Sequence, residues 1–246
     1  MCLVNDLKII EYDTVGSTNA EAKKYAARTE DHTPVLFVAR EQSAGRGRLG
    51  RSFLSRRGQG IYMTLLYFTD DALSDAISVT SAAAVIVANA IENAVGAPMM
   101  IKWVNDIYDA RGKVAGILAE SVSLGGVNAM IVGVGINTGS GDFPEELKGI
   151  ASSIGEIGEG KRKDIILSIA NGLLEHSKNC TDRSFMSEYR RKSMLDGETV
   201  ELFSAGESLG IGVVQGVSDD GGLVVRLDGE DGCRVLRTGE VSVRKR

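Results

Sequence analysis

Residues 45–51 read GRGRLGR, and the reading of this stretch decides the fold. Its first six letters fit G-x-G-x-x-G, the turn that opens many dinucleotide-binding βαβ units. Such a turn follows a strand and begins a helix. PVLFVAR at 34–40 is a short β-branched and aromatic run that predicts a strand, but four residues separate it from Gly45. After Gly50 comes RSFLSRRGQG and then IYMTLLYF at 61–68, a second strand-like run, which leaves no space for a crossover helix. The acidic pair Asp70 and Asp71 lies at the fingerprint's distance, but no helix precedes it and it is coincidental. The reading that remains is an anion cradle. Glycines let backbone N–H groups approach a ligand and form concave nests. Arg46, Arg48 and Arg51 between them add charge-assisted hydrogen bonds to phosphate or carboxylate oxygens.

This basic cluster sits on an acidic chain of 246 residues with a net charge of -5, which argues against a general nucleic-acid binder. Hydrophobic content of 43% and charged content of 25% are those of a globular protein able to bury a core without staples. Cys2, Cys180 and Cys233 are far apart, form neither a zinc pattern nor a disulfide framework, and suit a reducing cytoplasm. The start MCLVNDLKIIEYD lacks an apolar leader, and AAAVIVANAIENAV at 82–95 is interrupted by Asn89 and Glu92, so no membrane span is expected. His32 and His176 lie in polar surroundings and are expected at the surface, which leaves no histidine base for a hydrolase. Any catalysis must then run on positioning and positive charge.

The pattern predicts an α+β chain. A short strand IIEY precedes GSTNAEAKKYAAR, where Thr18 and Glu21 have capping-box spacing and Ala22, Tyr25 and Ala26 recur at helical intervals. Residues 72–95 predict a helix capped by Gly96 before Pro98. MMIKWV at 99–104 predicts a strand with Met100, Lys102 and Val104 on one face and Met99, Ile101 and Trp103 on the other. NDIYDARGKVAGILAESVS predicts a hairpin turning near Asp109 to Gly112, and VNAMIVGVGIN a further strand. Helices are expected at 161–178 and 182–193. From about Asp196, five runs (GETVELF, SLGIGVVQGV, GGLVVRL, GCRVLR, GEVSVR) separated by Gly/Asp turns predict a small all-β barrel.

Four further stretches set polar groups among apolar ones: GSTN (16–19), KWVND (102–106), GKVAGILAES (112–121) and VGVGINTG (132–139). Taken in order around EQSAGRGRLGR, they closely resemble the biotin protein ligases, and the resemblance runs from about residue 8 to the terminal GEVSVR. It implies a class II aminoacyl-tRNA synthetase-like catalytic domain over 1–194, with a mixed β-sheet and flanking helices, and an SH3-like β-barrel over 195–246. It also implies a two-step reaction. Biotin and ATP give biotinyl-5′-AMP, with Mg²⁺ implied by the ATP chemistry, and the biotinyl group then passes to a lysine of a biotin carboxyl carrier protein.

The site residues follow from the same resemblance. Ser17, Thr18, Asn19 and Gln42 match biotin contacts, and Arg46, Gly47 and Arg48 match a mobile flap that closes over biotin and the adenylate phosphate. Lys113 matches the lysine near the biotin carboxylate and α-phosphate, and is the first candidate for catalysis with Arg46 and Arg48. Gly116, Gly133 and Gly135 would let the biotin ring lie against the backbone. Arg51, Phe53, Lys102, Asn105 and Asn137 fall on the ATP side, with Asp106 beside them, and no sequence pattern fixes the metal ligands. Two positions depart from the family: Phe53 stands where tryptophan is usual, and Val104 where proline is usual in K-W-P-N-D. GSTN begins at residue 16, so the helix-turn-helix domain of the biotin-operon repressors is not expected, and a homodimer would match many relatives. The competing readings are a lipoate–protein ligase, an inactive biotin-binding homologue and a non-catalytic anion- or RNA-binding module. The basic loop and the C-terminal β module favour biotin.

Overall fold

The computed structural model describes residues 7–69, 76–124, 127–204, 207–237 and 241–245. Cys2, the Asp70–Asp71 pair, the expected helix start at 72–75 and the first two residues of GEVSVR lie outside them. Two sheets organise the chain. The larger is seven-stranded, in the order β1-β2-β3-β7-β6-β5-β4. Its strands are β1 (Lys8–Tyr12), β2 (Val35–Ala39), β3 (Gly60–Thr69), β4 (Met100–Lys102), β5 (Asp106–Tyr108), β6 (Lys113–Leu124) and β7 (Val127–Asn137). β1 and β2 run parallel and every other neighbouring pair is antiparallel, so the sheet is mixed.

Alternation on these strands gives the sheet two different faces. One carries Leu36, Ile61, Met63, Leu65, Val132 and Val134 and packs under α2 (Ala76–Val95) and α3 (Glu159–Ser177). Burying each large aliphatic chain here stabilises by about 1.5–3 kcal/mol. The alanines of α2 let it lie close, and a Cβ at Gly172 of α3 would meet Ile86 at 2.7 Å. By length and composition Ile77–Val95 could cross a membrane, which the interruptions at Asn89 and Glu92 had not predicted, yet 67% of it is buried inside the protein. The helix ends at Gly96, whose φ of 70° is the left-handed cap expected there. On the other face Val35, Phe37, Leu66, Ala129 and Ile131 pack against Ala22 and Ala26 of α1 (Thr18–Ala26). α1 covers only one end of this face. The other end is open and forms the site.

Several local expectations change. The N-cap of α1 is Ser17 rather than Thr18, and its side chain makes no capping bond. The strand expected at 99–104 stops at Lys102, because the chain turns through Trp103–Asn105 to pair Lys102 with Asp106. Val104 is therefore buried, while Met100 on the same predicted face is exposed, and the Trp103–Val104 peptide is cis. The hairpin turn falls where predicted, with Asp109 accepting from the N–H groups of Arg111 and Gly112. α4 (Met186–Lys192) starts later than 182, because Asp182 accepts from the Ser184 N–H and holds a turn there.

The C-terminal texture gives five strands: β8 (Thr199–Ser204), β9 (Glu207–Val217), β10 (Leu223–Leu227), β11 (Arg234–Leu236) and β12 (Val241–Lys245). Their order is β11-β10-β9-β8-β12, all antiparallel. The predicted barrel is not closed: β11 and β12 are opposite edges, and among the described residues no pairing joins them. This sheet shares the main core through Val200, Leu202 and Val214, and it meets the KWVND turn, where Trp103 Nε1 donates to the Gly221 carbonyl at 2.9 Å.

The histidines part company. His32 is exposed and stacks on Phe68, whereas His176 is half-buried with its ring edge-on to Phe185 and its Nε2 buried without a partner. Burial pulls the His176 pKa below 6.5, with Asp182 opposing. The unfolded chain then binds more protons than the native one between the two pKa values. Stability is full above 6.5 and declines as pH falls through the lowered folded value. Urea unfolding across the interval from pH 6.5 down to that lowered value should show a smaller decline in His176→Leu than in the parent protein, and identical slopes over that interval would refute the assignment.

Candidate functional site

The floor of the open end is made of rows across the sheet. Tyr62, Gly135, Gly116 and Asp106 form one row, and Thr64, Gly133 and Leu118 the next. Three positions there carry no side chain, and each glycine admits a particular neighbour. A Cβ at Gly133 would lie 2.0 Å from Asn19 Oδ1, and one at Gly135 would lie 2.5 Å from the Phe53 ring. One at Gly116 would be 3.2 Å from Lys113 Nζ. The cleft above this floor has a volume of ≈ 530 Å³.

One wall is uncharged. α1 points its N-terminus at the cleft, and its first N–H, that of Thr18, donates to Gln42 Oε1 at 2.8 Å. Gln42 thus does what a capping side chain would do. It also donates through Nε2 to Ser55 Oγ at 3.0 Å, and Ser55 donates to the Phe53 carbonyl at 3.0 Å. Ser17, Thr18 and Asn19 are all buried beside it.

The opposite wall is cationic, built by the loop between β2 and β3. Gly47 N–H donates to the Arg51 carbonyl at 2.7 Å, and Arg46 bridges Ser52, so GRGRLGR folds into a tight finger. Arg46 and Arg51 are exposed to the cleft side, and Arg48 turns inward to donate to Asn105 Oδ1 at 3.1 Å. Burial lowers the Arg48 pKa, and the Asp106 charge opposes that shift. The base of the loop is clamped. Arg162 of α3 donates to the carbonyl of Gly60 at 2.5 Å and of Ala39 at 3.4 Å, the two strand ends from which the loop leaves. Tyr62 holds the Arg56 carbonyl at 2.8 Å, and Arg57 pairs with Asp13.

Between the walls, Lys113 Nζ pairs with Asp106 Oδ1 at 2.6 Å above Gly116. Lys102 lies 5.7 Å from the centre of the Tyr108 ring. The amides of Asn105 and Asn137 brace the backbone: Asn105 donates to the Ile117 carbonyl, and Asn137 to those of Lys113 and Ser152. Phe53 lies over the glycine floor and meets Tyr62 edge-on at 6.5 Å. All the residues singled out from the sequence line this one cleft: Ser17, Thr18, Asn19, Gln42, Arg46, Gly47, Arg48, Arg51, Phe53, Lys102, Asn105, Lys113, Gly116, Gly133, Gly135 and Asn137. The sequence reading did not single out Phe143, Leu147 and Ile150, which line the cleft from the segment after β7. Their one signal was apolar side chains in an otherwise polar stretch, FPEELKGI.

Comparison with known proteins gives one consistent picture. The sequence model of the biotin/lipoate A/B protein ligase family matches residues 12–137. The bifunctional ligase/repressor BirA of Bacillus spizizenii is 32% identical over 96% of this chain and 74% of its own length. The biotin–[acetyl-CoA-carboxylase] ligase of Paracoccus denitrificans is 32% identical over 92% of this chain and 96% of its own. Among solved structures, the biotin protein ligase of Aquifex aeolicus in complex with biotin and ATP superposes with a TM-score of 0.77. It is 26% identical, over 97% of this chain and 99% of that one.

The glycine floor makes a direct prediction. In Gly133→Ala the new methyl displaces Asn19 and breaks its buried hydrogen bonds, which should cost about 1–3 kcal/mol of stability in urea unfolding. Gly47→Ala, whose methyl would meet nothing closer than 3.4 Å, should unfold like the parent. Equal stability of the two variants would contradict this account of the floor.

Proposed function

This chain belongs to the biotin/lipoate A/B protein ligase family, and from that membership and the cleft's chemistry we infer that it is an ATP-dependent biotin protein ligase. The observation that carries the reading is the two-part cleft, with a neutral hydrogen-bonding wall of Ser17, Thr18 and Gln42 facing a cationic wall of Arg46, Arg48, Arg51 and Lys113. Biotin has the same two ends, a neutral cyclic urea and a carboxylate. Lipoate ends in a dithiolane that offers the polar wall no hydrogen bonds, and leaving such groups unpaired is costly.

In the first step a biotin carboxylate oxygen attacks the α-phosphorus of ATP, the bond to the β-phosphate oxygen breaks, and pyrophosphate leaves. Two anions must meet, so positive charge fixed in advance is what lowers the barrier. Lys113 holds its ammonium at the junction of the two substrates, Arg48 and Arg46 neutralise the carboxylate and α-phosphate, and Arg51 takes the outer phosphates. Phe53, Lys102, Asn105 and Asn137 shape the nucleotide end, where Phe53 offers an aromatic face to adenine. In the second step a neutral lysine amine of the carrier attacks the biotinyl carbonyl, AMP leaves with the bonding pair, and the nitrogen releases one proton to solvent as the amide forms. Closure of the Arg/Gly loop would keep water from the mixed anhydride. No step calls for a histidine.

Asp106 is the one acidic side chain lining the cleft among the described residues, and no three His, Cys, Asp or Glu are grouped there to hold a metal. That donor set fits a Mg²⁺ carried in by the ATP phosphates, where it would offset phosphate charge. The carrier in this proposal is the biotin carboxyl carrier protein of acetyl-CoA carboxylase. A class II aminoacyl-tRNA synthetase-like catalytic part over 1–194 and an SH3-like part over 195–246 belong to the same proposal, supported by the two separate sheets.

ATP–pyrophosphate exchange tests it. Exchange should depend on biotin and be absent with lipoate, and exchange supported by lipoate alone would overturn the reading. Lys113→Ala should lower biotin-dependent exchange by about 10²-fold or more, on the scale of losing one group that stabilises developing charge. An unchanged rate would remove Lys113 from the chemistry.

A further inference from the structure

Behind the neutral wall lies a chain of hydrogen bonds that runs out of the cleft to a single carboxylate. Asn19 Nδ2 donates to Glu120 Oε2 at 2.9 Å and to the Leu118 carbonyl at 3.2 Å. Asn19 Oδ1 lies 2.7 Å from Thr64 Oγ1, and Thr64 Oγ1 lies 2.7 Å from Thr18 Oγ1. Thr18 Oγ1 is 3.1 Å from Gln42 Oε1. Glu120 does not line the cleft; its other oxygen takes Lys23 Nζ at 2.5 Å. Glu120 sits on β6 two residues beyond Leu118, on the face that carries Gly116, and Lys23 comes from α1.

The protons in this chain can be assigned one by one. Both amide protons of Asn19 face acceptors, one of them anionic. The opposite orientation would set Oδ1 against a carboxylate and a carbonyl, so the amide is fixed. Asn19 Oδ1 can only accept, which takes the single Thr64 proton. Thr64 Oγ1 then has only lone pairs to offer Thr18, so at 2.7 Å Thr18 is the donor to Thr64. The Thr18 proton is thus used inside the protein, and Thr18 faces the cleft as an acceptor. Gln42 Nε2 keeps one proton beyond the bond to Ser55. The wall thus presents an acceptor and a donor in a set order. A cyclic urea needs that complement, because its N–H groups seek acceptors and its carbonyl a donor.

We propose that Glu120, braced by Lys23, is the positioning residue that fixes the donor–acceptor order of the neutral wall and so selects a ureido headgroup. The proposal rests on the biotin reading of the cleft and names the origin of its selectivity. Glu120 acts on the bound substrate before chemistry, so its removal raises KM for biotin while kcat and KM for ATP stay where they are.

The test compares Glu120→Leu, Glu120→Gln and Lys23→Met with the parent, by calorimetric binding of biotin and of a biotin analogue methylated on one ureido nitrogen. Glu120→Leu should weaken biotin by about tenfold or more, the loss of one charge-assisted hydrogen bond. It should affect the analogue less, so that discrimination between the two narrows. Glu120→Gln, which keeps an acceptor oxygen for Asn19, should recover most of the affinity, and Lys23→Met should fall between. The proposal is overturned if Glu120→Leu binds biotin within twofold of the parent, or if biotin, analogue and KM for ATP all worsen together. Should Glu120→Leu fail to fold, Lys23→Met carries the same comparison. A parent protein that binds no biotin at all would instead sink the functional reading.

Discussion

The constraint on which the rest of the site depends is the bare patch of sheet at Gly116, Gly133 and Gly135. Adjacent strands normally project side chains every second residue, and a full complement here would fill the cleft. Each missing Cβ is matched by an inserted group: the Asn19 amide at Gly133, the Phe53 ring at Gly135 and the Lys113 ammonium at Gly116. One neutral polar group, one aromatic face and one cation are thereby held on a floor stiffened by long antiparallel pairings. α1 completes the arrangement by covering only the far end of the same face, where Ala22 and Ala26 replace glycine as the small residues.

Two walls of opposite character follow from this floor. The neutral wall is held by hydrogen bonds of the Asn19 amide, the Thr64 hydroxyl and the Gln42 side chain inside the protein, and its last link leaves the cleft for the Lys23–Glu120 pair. The cationic wall is a loop with glycine at every second or third position, clamped at its base by Arg162, Tyr62 and Arg57 and tethered within by the Arg48–Asn105 hydrogen bond. Rigidity on the neutral side suits recognition of a fixed ring. Glycines between the arginines on the charged side suit a loop that must admit two anions and then exclude water. Reactivity in such a cleft comes from placed charge, which accounts for a site without histidine.

Much of this was legible in the sequence, and for identifiable reasons. Strands came from short β-branched runs, and the five C-terminal strands from Gly/Asp punctuation. The polar stretches that meet in the cleft stood out because their neighbours are apolar. GRGRLGR was separated from a dinucleotide turn by what flanks it rather than by its own letters. What stayed hidden depends on contacts remote in sequence. Asn19 and Glu120 meet across a separation of 101 residues, and nothing local to either marks the pairing. The capping of α1 by Gln42 rather than by its own Ser or Thr needed the loop in place. The early stop of β4, the burial of His176 and the open edges of the C-terminal sheet likewise reflect tertiary packing that outweighs local pattern.

The central claim is that this cleft joins biotin to a protein lysine at the expense of ATP. Its most direct test is the intact mass of a biotin carboxyl carrier domain after incubation with the purified protein, biotin, ATP and Mg²⁺. The account predicts a gain of one biotinyl group on the carrier, lost when ATP is omitted or when the carrier's target lysine is replaced. A carrier of unchanged mass under the complete conditions, alongside a folded protein, would contradict it.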